Sequence, residues 1–234
     1  MKRRTIIFVV ASVVALGGCG GDEAKRSVAA ATPSPTMGCA SPAGNVPASD
    51  IDRQAIWPPL SQCTTDPRVL ARSFATEYIG LDGEPELGPY REVQPDPPVI
   101  KIDILRSRGH SALTTLTLRV LDDAHFLYVT AAESPDIDVI APTAQASISS
   151  PVTVKGRARG FEGNIVVEVR AAYATAALSD QALTAGSMDS REPFSTTLTF
   201  TPPAGGNAGA IVAKSGSGTA EASGFSAVAV RFSA

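Results

Sequence analysis

Histidine is nearly absent: the 234-residue chain has 2, alongside 3 cysteines and 1 tryptophan. Structural zinc sites need four Cys or His ligands and general bases are most often histidine, so little is left for metal or acid–base chemistry. No Gly-x-Ser-x-Gly occurs, and no serine stands three residues before a lysine. The glycine-rich KSGSGTAEASG (Lys214 to Gly224) lacks the order of glycines, lysine and hydroxyl residue that cradles phosphate, and reads as a flexible β-loop. Charge of one sign is missing too. With 20 basic and 23 acidic residues the net charge is −3, and no long basic run stands out in the sequence, which argues against a nucleic-acid partner. Aromatics make up only 6 %, against 20 Gly and 18 Pro, a composition of many turns and short strands.

One apolar run stands out. Thr5 to Leu16 (TIIFVVASVVAL) follows Lys2, Arg3 and Arg4. At about 12 residues it suits a signal-peptide core and falls short of the roughly 20 of a membrane span. It ends in LGGC, Leu16 to Cys19, which resembles a bacterial lipobox. That resemblance implies processing before Cys19, a diacylglyceryl thioether on its sulfur, and anchoring in the bilayer by palmitate-type acyl chains; more than one chain gives stable attachment. An ordinary secretory signal is the alternative. The expected location is the extracytoplasmic face of a bacterial membrane. In that compartment Cys39 and Cys63 read as a disulfide, with free thiols or an intermolecular link as the other readings.

From Gly20 to about Asp50, Ala, Pro, Ser, Gly and Thr dominate without apolar periodicity, as in a disordered tether. Residues 51–133 read as a small α+β domain. Trp57 in AIWPPL is either a ligand platform or a lid on the core, the lid being preferred. Asp66 is a good N-cap, Pro67 suits the first helical position and Gly80 the C-terminal cap, around an amphipathic helix with Leu70, Phe74 and Tyr78 on one side. LDGEPELGPYREVQPDPP (Leu81 to Pro98) reads as a long loop. Three strands follow, with Ile100, Ile102 and Ile104, then Leu116, Leu118 and Val120, then Leu127 and Val129. The turns are RSRGH (Arg106 to His110) and DDAH (Asp122 to His125). This unit resembles half of a cystatin-like or nuclear-transport-factor-like fold.

After a hinge at Ser134-Pro135 the texture becomes all-β. Ile137–Ile140, Val152 and Val154, Ile165, Val167 and Val169, Phe194–Phe200, Ile211 and Ala213, and Val228–Phe232 give six or seven short strands between turns, the pattern of a sandwich over residues 136–234. Val166, Glu168 and Arg170 are expected to point outward. At Ser150, Pro151, Val152; Val154, Gly156, Ala158; Phe161, Glu162; Val167, Val169 and Phe194, the chain resembles the immunoglobulin-like domain associated with bacterial spore germination. The resemblance implies an extracytoplasmic, non-enzymatic module with no catalytic residues, and it does not by itself imply germination. Gly156 and Gly160 are read as sites of close backbone approach and Phe161 as a plug at one end of the sandwich.

The fold class is therefore an α+β domain followed by an immunoglobulin-like sandwich. The expected function is non-catalytic binding of a cell-wall polymer or envelope protein through sandwich loops. Phe161, Glu162, Asn164 and Lys214 are the candidate contacts, although Glu162 capping loop amides is the blander reading. No cofactor or metal is expected; Asp136 and Asp138 supply too few oxygens for calcium. RSRGH is read first as a solvated turn and second as a contact for anionic polymer or lipid headgroups. The rivals are a structural accessory subunit acting through the α+β domain, and a cell-wall hydrolase with His125 in a site between the domains.

Overall fold

The computed structural model describes residues 54–59, 61–106, 111–121, 124–159, 163–187, 189–204, 207–215 and 224–233. The signal-like segment with Cys19, the tether with Cys39, and His110, Gly160, Phe161 and Glu162 lie outside the described residues. All described residues belong to the compact unit Thr36–Ala234.

The helix begins as the sequence indicates. Asp66 Oδ1 accepts from the amides of Arg68 (2.8 Å) and Val69, Pro67 opens α1 (Pro67–Ser73), and Gly80 ends the segment at φ 80°. The second half, Phe74–Ile79, is a π-helix. An apolar repeat of four overruns the 3.6-residue α-turn, and a wider i→i+5 turn returns Tyr78 to the core. There its ring stacks on Phe74 with centroids 5.1 Å apart and meets Trp57 at 5.5 Å.

The strands are β1 (Leu87–Pro95), β2 (Pro98–Leu105), β3 (Ala112–Val120), β4 (Leu127–Glu133), β5 (Ile137–Ala141), β6 (Ser147–Ile148), β7 (Val152–Ala158), β8 (Asn164–Ala171), β9 (Ala177–Thr184), β10 (Glu192–Leu198), β11 (Ala208–Ser215) and β12 (Phe225–Phe232). The expected loop over Leu81–Pro98 thus contains strand β1. Its residues are mostly exposed and two register shifts interrupt its pairing with β2. An edge strand broken by prolines and bulges has no apolar alternation to betray it. Strand β9 was not anticipated for the same reason; it is largely exposed and pairs only with β8.

The larger departure concerns the modules. A single sheet runs β1-β2-β3-β4-β12-β11-β8-β9, with β6 added parallel to β12, and a second sheet runs β10-β7-β5. The expected small α+β sheet does not end at β4. It joins the last strand of the sandwich through Ala132 opposite Ala227 and Ala131 opposite Val228.

That seam explains two cores. Ile137, Val154, Ile165, Val167, Val169, Phe194, Ile211, Val230 and Phe232 fill the space between the two sheets. Ala210, Val212, Phe225, Ala227 and Ala229, on the other side of β11 and β12, join Leu70, Phe74, Tyr78, Ile102, Leu116 and Val129 beneath the helix. Strands β11 and β12 are therefore buried on both faces, which is why AGAIVA and FSAVAV are apolar in both parities.

The same covering corrects the expectation that Glu168 and Arg170 face solvent. Both are buried, at 6 % exposure each. Arg170 Nε donates to Glu168 Oε2 at 2.6 Å, and its Nη1 donates to the carbonyl of Tyr78 at the end of the π segment. Its guanidinium lies 5.1 Å from the centroid of the Tyr78 ring. Glu168 Oε1 takes Lys214 Nζ at 2.5 Å. The carboxylate is thus held between two cations, and a cation meets a carbonyl-rich helix end, where the dipole favours it.

Where β4 and β12 diverge, residues 54–57 fill the gap. Ile56 N donates to Val129 O and Val129 N to Trp57 O, both at 2.8 Å, while Tyr173 N donates to Ile56 O at 3.0 Å. Trp57 is fully buried with Nε1 donating to Ser73 Oγ at 2.8 Å, so it is a core residue and not a surface platform.

Two outcomes test this packing. A Cβ at Gly156 would stand 2.1 Å from the Asp138 carbonyl oxygen and 2.4 Å from Phe194 Cζ. Gly156→Ala should therefore cost about 2 kcal/mol or more in urea unfolding, the upper part of the range for overpacking. The Tyr78 hydroxyl is fully buried and makes no hydrogen bond with any described residue. Burial pushes its pKa well above the usual tyrosine range, an effect the nearby Arg170 charge only partly offsets. Folded-state pKa is raised, so stability is fully present below the unfolded value of about 10 and is lost as pH rises past it. Tyr78→Phe should stabilise by about 1 kcal/mol at neutral pH, by removing an unsatisfied polar group, and should flatten the alkaline loss. Destabilisation by more than 1 kcal/mol at pH 7 would show that the hydroxyl has a partner.

Candidate functional site

The sequence-expected contacts are spread out. Asn164 is exposed at the start of β8, opposite Thr184. Lys214, on β11, is turned inward to Glu168 and is a quarter exposed, so its charge is already matched. Phe161, Glu162 and residues 216–223 of the second loop fall outside the described residues. The described residues on either side of the segment 160–162 are held by backbone bonds. Arg159 N donates to Asp136 O at 2.8 Å before it, and Ala185 N to Gly163 O at 2.7 Å after it. Gly163 sits at φ 68°, with a virtual Cβ 2.5 Å from the Gly186 carbonyl oxygen, so no other residue fits there without strain. Cys63 is disulfide-bonded, and Cys39 lies outside the described residues.

His125 is an exposed turn residue at φ 60° between β3 and β4. Among the described residues, packed side chains and the Arg170–Glu168 pair occupy the space between the helix and strands β8, β11 and β12.

Asp136 and Asp138 are committed to arginines. Asp136 Oδ1 takes Arg159 Nε at 2.7 Å and its Oδ2 takes Arg106 Nη2, while its amide donates to Ser134 Oγ at 3.2 Å. Asp138 Oδ1 accepts the Arg157 amide at 2.9 Å, and its Oδ2 lies 2.9 Å from Arg191 Nη2. With their oxygens so engaged the two carboxylates make an arginine clasp. Among the described residues no group of three or more His, Cys, Asp or Glu could hold a metal ion.

This clasp borders the outer face of the β10-β7-β5 sheet. Strand β7 alternates strictly, with Val152, Val154, Gly156 and Ala158 inside and Thr153, Lys155 and Arg157 outside. Lys155 lies opposite Ser195 and Ala141, and Arg157 opposite Pro193 and Asp138. Neither Lys155 nor Arg157 forms a side-chain hydrogen bond or ion pair with any described residue, and Arg159, Arg106 and Arg191 stand beside them. The only trace in the sequence was the alternation in VKGRAR. Counting charge along the whole chain hides it, because the neighbours Arg106 and Arg191 come from distant segments.

A second concavity, of about 420 Å³, lies on the sheet face turned away from the helix. Gln54, Gln94, Lys101, Thr117, Arg119 and Glu133 line it. Lys101 Nζ is 3.1 Å from Glu133 Oε2. Beside the groove, Arg91 Nη1 is 2.9 Å from Asp103 Oδ2. Partial burial alone would raise the Asp103 pKa, but the hydrogen bonds from Arg91 and Thr115 outweigh it and hold the carboxyl below its usual range. The groove lining contains no histidine, serine or cysteine, and its single carboxylate cannot form the flanking acid pair of a glycosidase. Its lining offers hydrogen-bonding groups and the charges of Lys101, Arg119 and Glu133. Sequence reasoning missed it because it is assembled from five strands, the segment at Gln54 and the turn at Gln145.

No curated protein and no solved structure matches the chain. The match found is to a family model and stops short of β12, the strand that closes the sheet: residues 136–220, less than half of the chain, form a domain similar to the family described as the immunoglobulin-like domain of bacterial spore germination.

Proposed function

We propose that this chain is a lipid-anchored, extracytoplasmic binding protein of the bacterial cell envelope, non-catalytic, that holds an envelope component against its immunoglobulin-like domain. One observation carries the binding surface. The sandwich has two outer faces, and the chain's own helix and first core cover the one on β11 and β12. The β10-β7-β5 face remains. The order of charged segment, apolar run, LGGC and small-residue tether supports the anchor at Cys19. The proposed partner of Cys63 is Cys39, which ties the end of the tether to the fold.

The groove lined by Lys101, Arg119 and Gln94 favours a second reading, in which the chain is an accessory subunit that docks a partner protein on the β1–β4 face. Crosslinking in intact cells separates the two: a discrete protein adduct supports the subunit, and heterogeneous wall-polymer adducts support envelope binding.

The anchor is tested by feeding cells an alkyne-tagged palmitate. The wild-type chain should carry the tag and pellet with membranes, and Cys19→Ser should lose the tag. Equal labelling of both would remove the anchor. Binding is tested with the unlipidated Cys19→Ser chain mixed with isolated envelopes, before and after peptidoglycan digestion. Co-sedimentation is expected before digestion; none in either sample overturns the binding reading.

A further inference from the structure

The outer face of the β10-β7-β5 sheet has a chemistry that narrows what it holds. We propose that it binds a linear polyanion, a polymer with a phosphate or carboxylate on each repeat, along strand β7. This deepens the envelope-binding reading above and rests on it.

Lys155, Arg157 and Arg159 occupy alternate positions of one strand and its direct continuation. Alternate residues of a strand stand about 6.7 Å apart on the same face, so the three cations form a line about 13 Å long. Arg106 and Arg191 flank its end. Against these five cations stand Asp136 and Asp138, with Glu192 at the end of β10 opposite Ala158. Both aspartates are spent on Arg106, Arg159, Arg191 and the Arg157 amide. The clasp does not neutralise the line; it fixes three arginines at its end and leaves the Lys155 and Arg157 side chains without an ion-pair partner among the described residues.

The chain as a whole carries −3, so this concentration of positive charge is local and attracts anions to one face only. Thr153, Thr197 and Ser195 continue the same face with hydroxyls that donate to phosphate or carboxylate oxygens. A single small anion would need a concave pocket; a flat row of evenly spaced cations fits a repeating one. A membrane surface fits less well. Binding at an interface combines basic residues with apolar side chains that insert, and Ile140 is the single large exposed apolar residue on this sheet.

The test uses the full chain with Cys19→Ser, titrated with long-chain inorganic polyphosphate and, separately, with poly-glutamate. The other arms are neutral dextran and vesicles of phosphatidylglycerol and phosphatidylcholine at one to three. Binding to either polyanion, weakening steeply as salt rises, is expected, with no binding to dextran. Lys155→Gln with Arg157→Gln should weaken it at least tenfold and lower the salt slope by about 1.4, from the single-strand counterion figure of about 0.7 per contact. Arg119→Gln, in the other groove, should leave binding unchanged. Neither Lys155 nor Arg157 pairs with a described residue, so the double variant should unfold at the wild-type temperature. Vesicle binding as tight as polyanion binding, or equal polyanion binding by the double variant, overturns the proposal. If the chain still sediments with envelopes but ignores both polyanions and both substitutions, the polyanion is wrong while the envelope reading stands. If it sediments with nothing, the envelope reading fails first.

Discussion

The structure depends on strands β11 and β12 being buried on both faces. One face closes the sandwich, with Ile211, Val230 and Phe232 against Val154 and Phe194, and the other supports the helix through Val212, Phe225 and Ala229. Neither core is complete without these two strands. Only two residue pairs join β4 to β12, so hydrogen bonding across the seam is a minor part of what holds it. The apolar area buried on both sides does most of the work, at about 25 cal/mol per Å².

That arrangement determines what is left for function. In an isolated two-sheet sandwich, polar residues on the outer faces are available to partners. Here Glu168, Arg170 and Lys214 occupy an outer face, yet both cations are bound to the one carboxylate beneath the helix. Breaking such a buried set by removing one member is costly, whereas the set as a whole contributes little net stability. Its role is to fix position: Arg170 reaches the Tyr78 carbonyl only when the helix end lies over β8. The free charges are displaced to the opposite sheet, where β7 presents them.

Much of the fold was legible because the local rules agreed. Asp66, Pro67 and Gly80 bound a helical segment, and Ile100, Ile102 and Ile104 share a face as alternation requires. The sandwich strands with one apolar parity were legible for the same reason. What escaped were features whose cause lies elsewhere in the chain. Strand β1 has no apolar face to declare it, and the division into modules hid a sheet that crosses the boundary. The signal for that sheet was present in Ala210, Val212, Ala227 and Ala229, the second apolar parity of β11 and β12. Reading it requires knowing that something covers the second face. Lys155 and Arg157 were visible as outward residues of a strand. That they form a site follows only once Asp138 is seen to be occupied by Arg191.

The segment at Trp57 joins these points. With the anchor proposed at Cys19 and the proposed Cys39–Cys63 link, load from the membrane reaches the fold at Cys63, between residues 54–57 and the helix. Residues 54–57 are seated in the gap between β4 and Tyr173, with Ile56 and Trp57 fully buried and bonded to Val129. Extracting Ile56 alone costs roughly 1.5–3 kcal/mol of lost burial, and Trp57 must leave both the core and Ser73. The tether therefore enters the fold beside the seam and not at an edge strand such as β1, which pairs on one side only. A chain attached at β1 would peel one register at a time. A chain held through Cys63 pulls between the buried Trp57 and Thr64, whose carbonyl accepts the Leu127 amide of β4, so it loads the shared core that keeps the helix over β8.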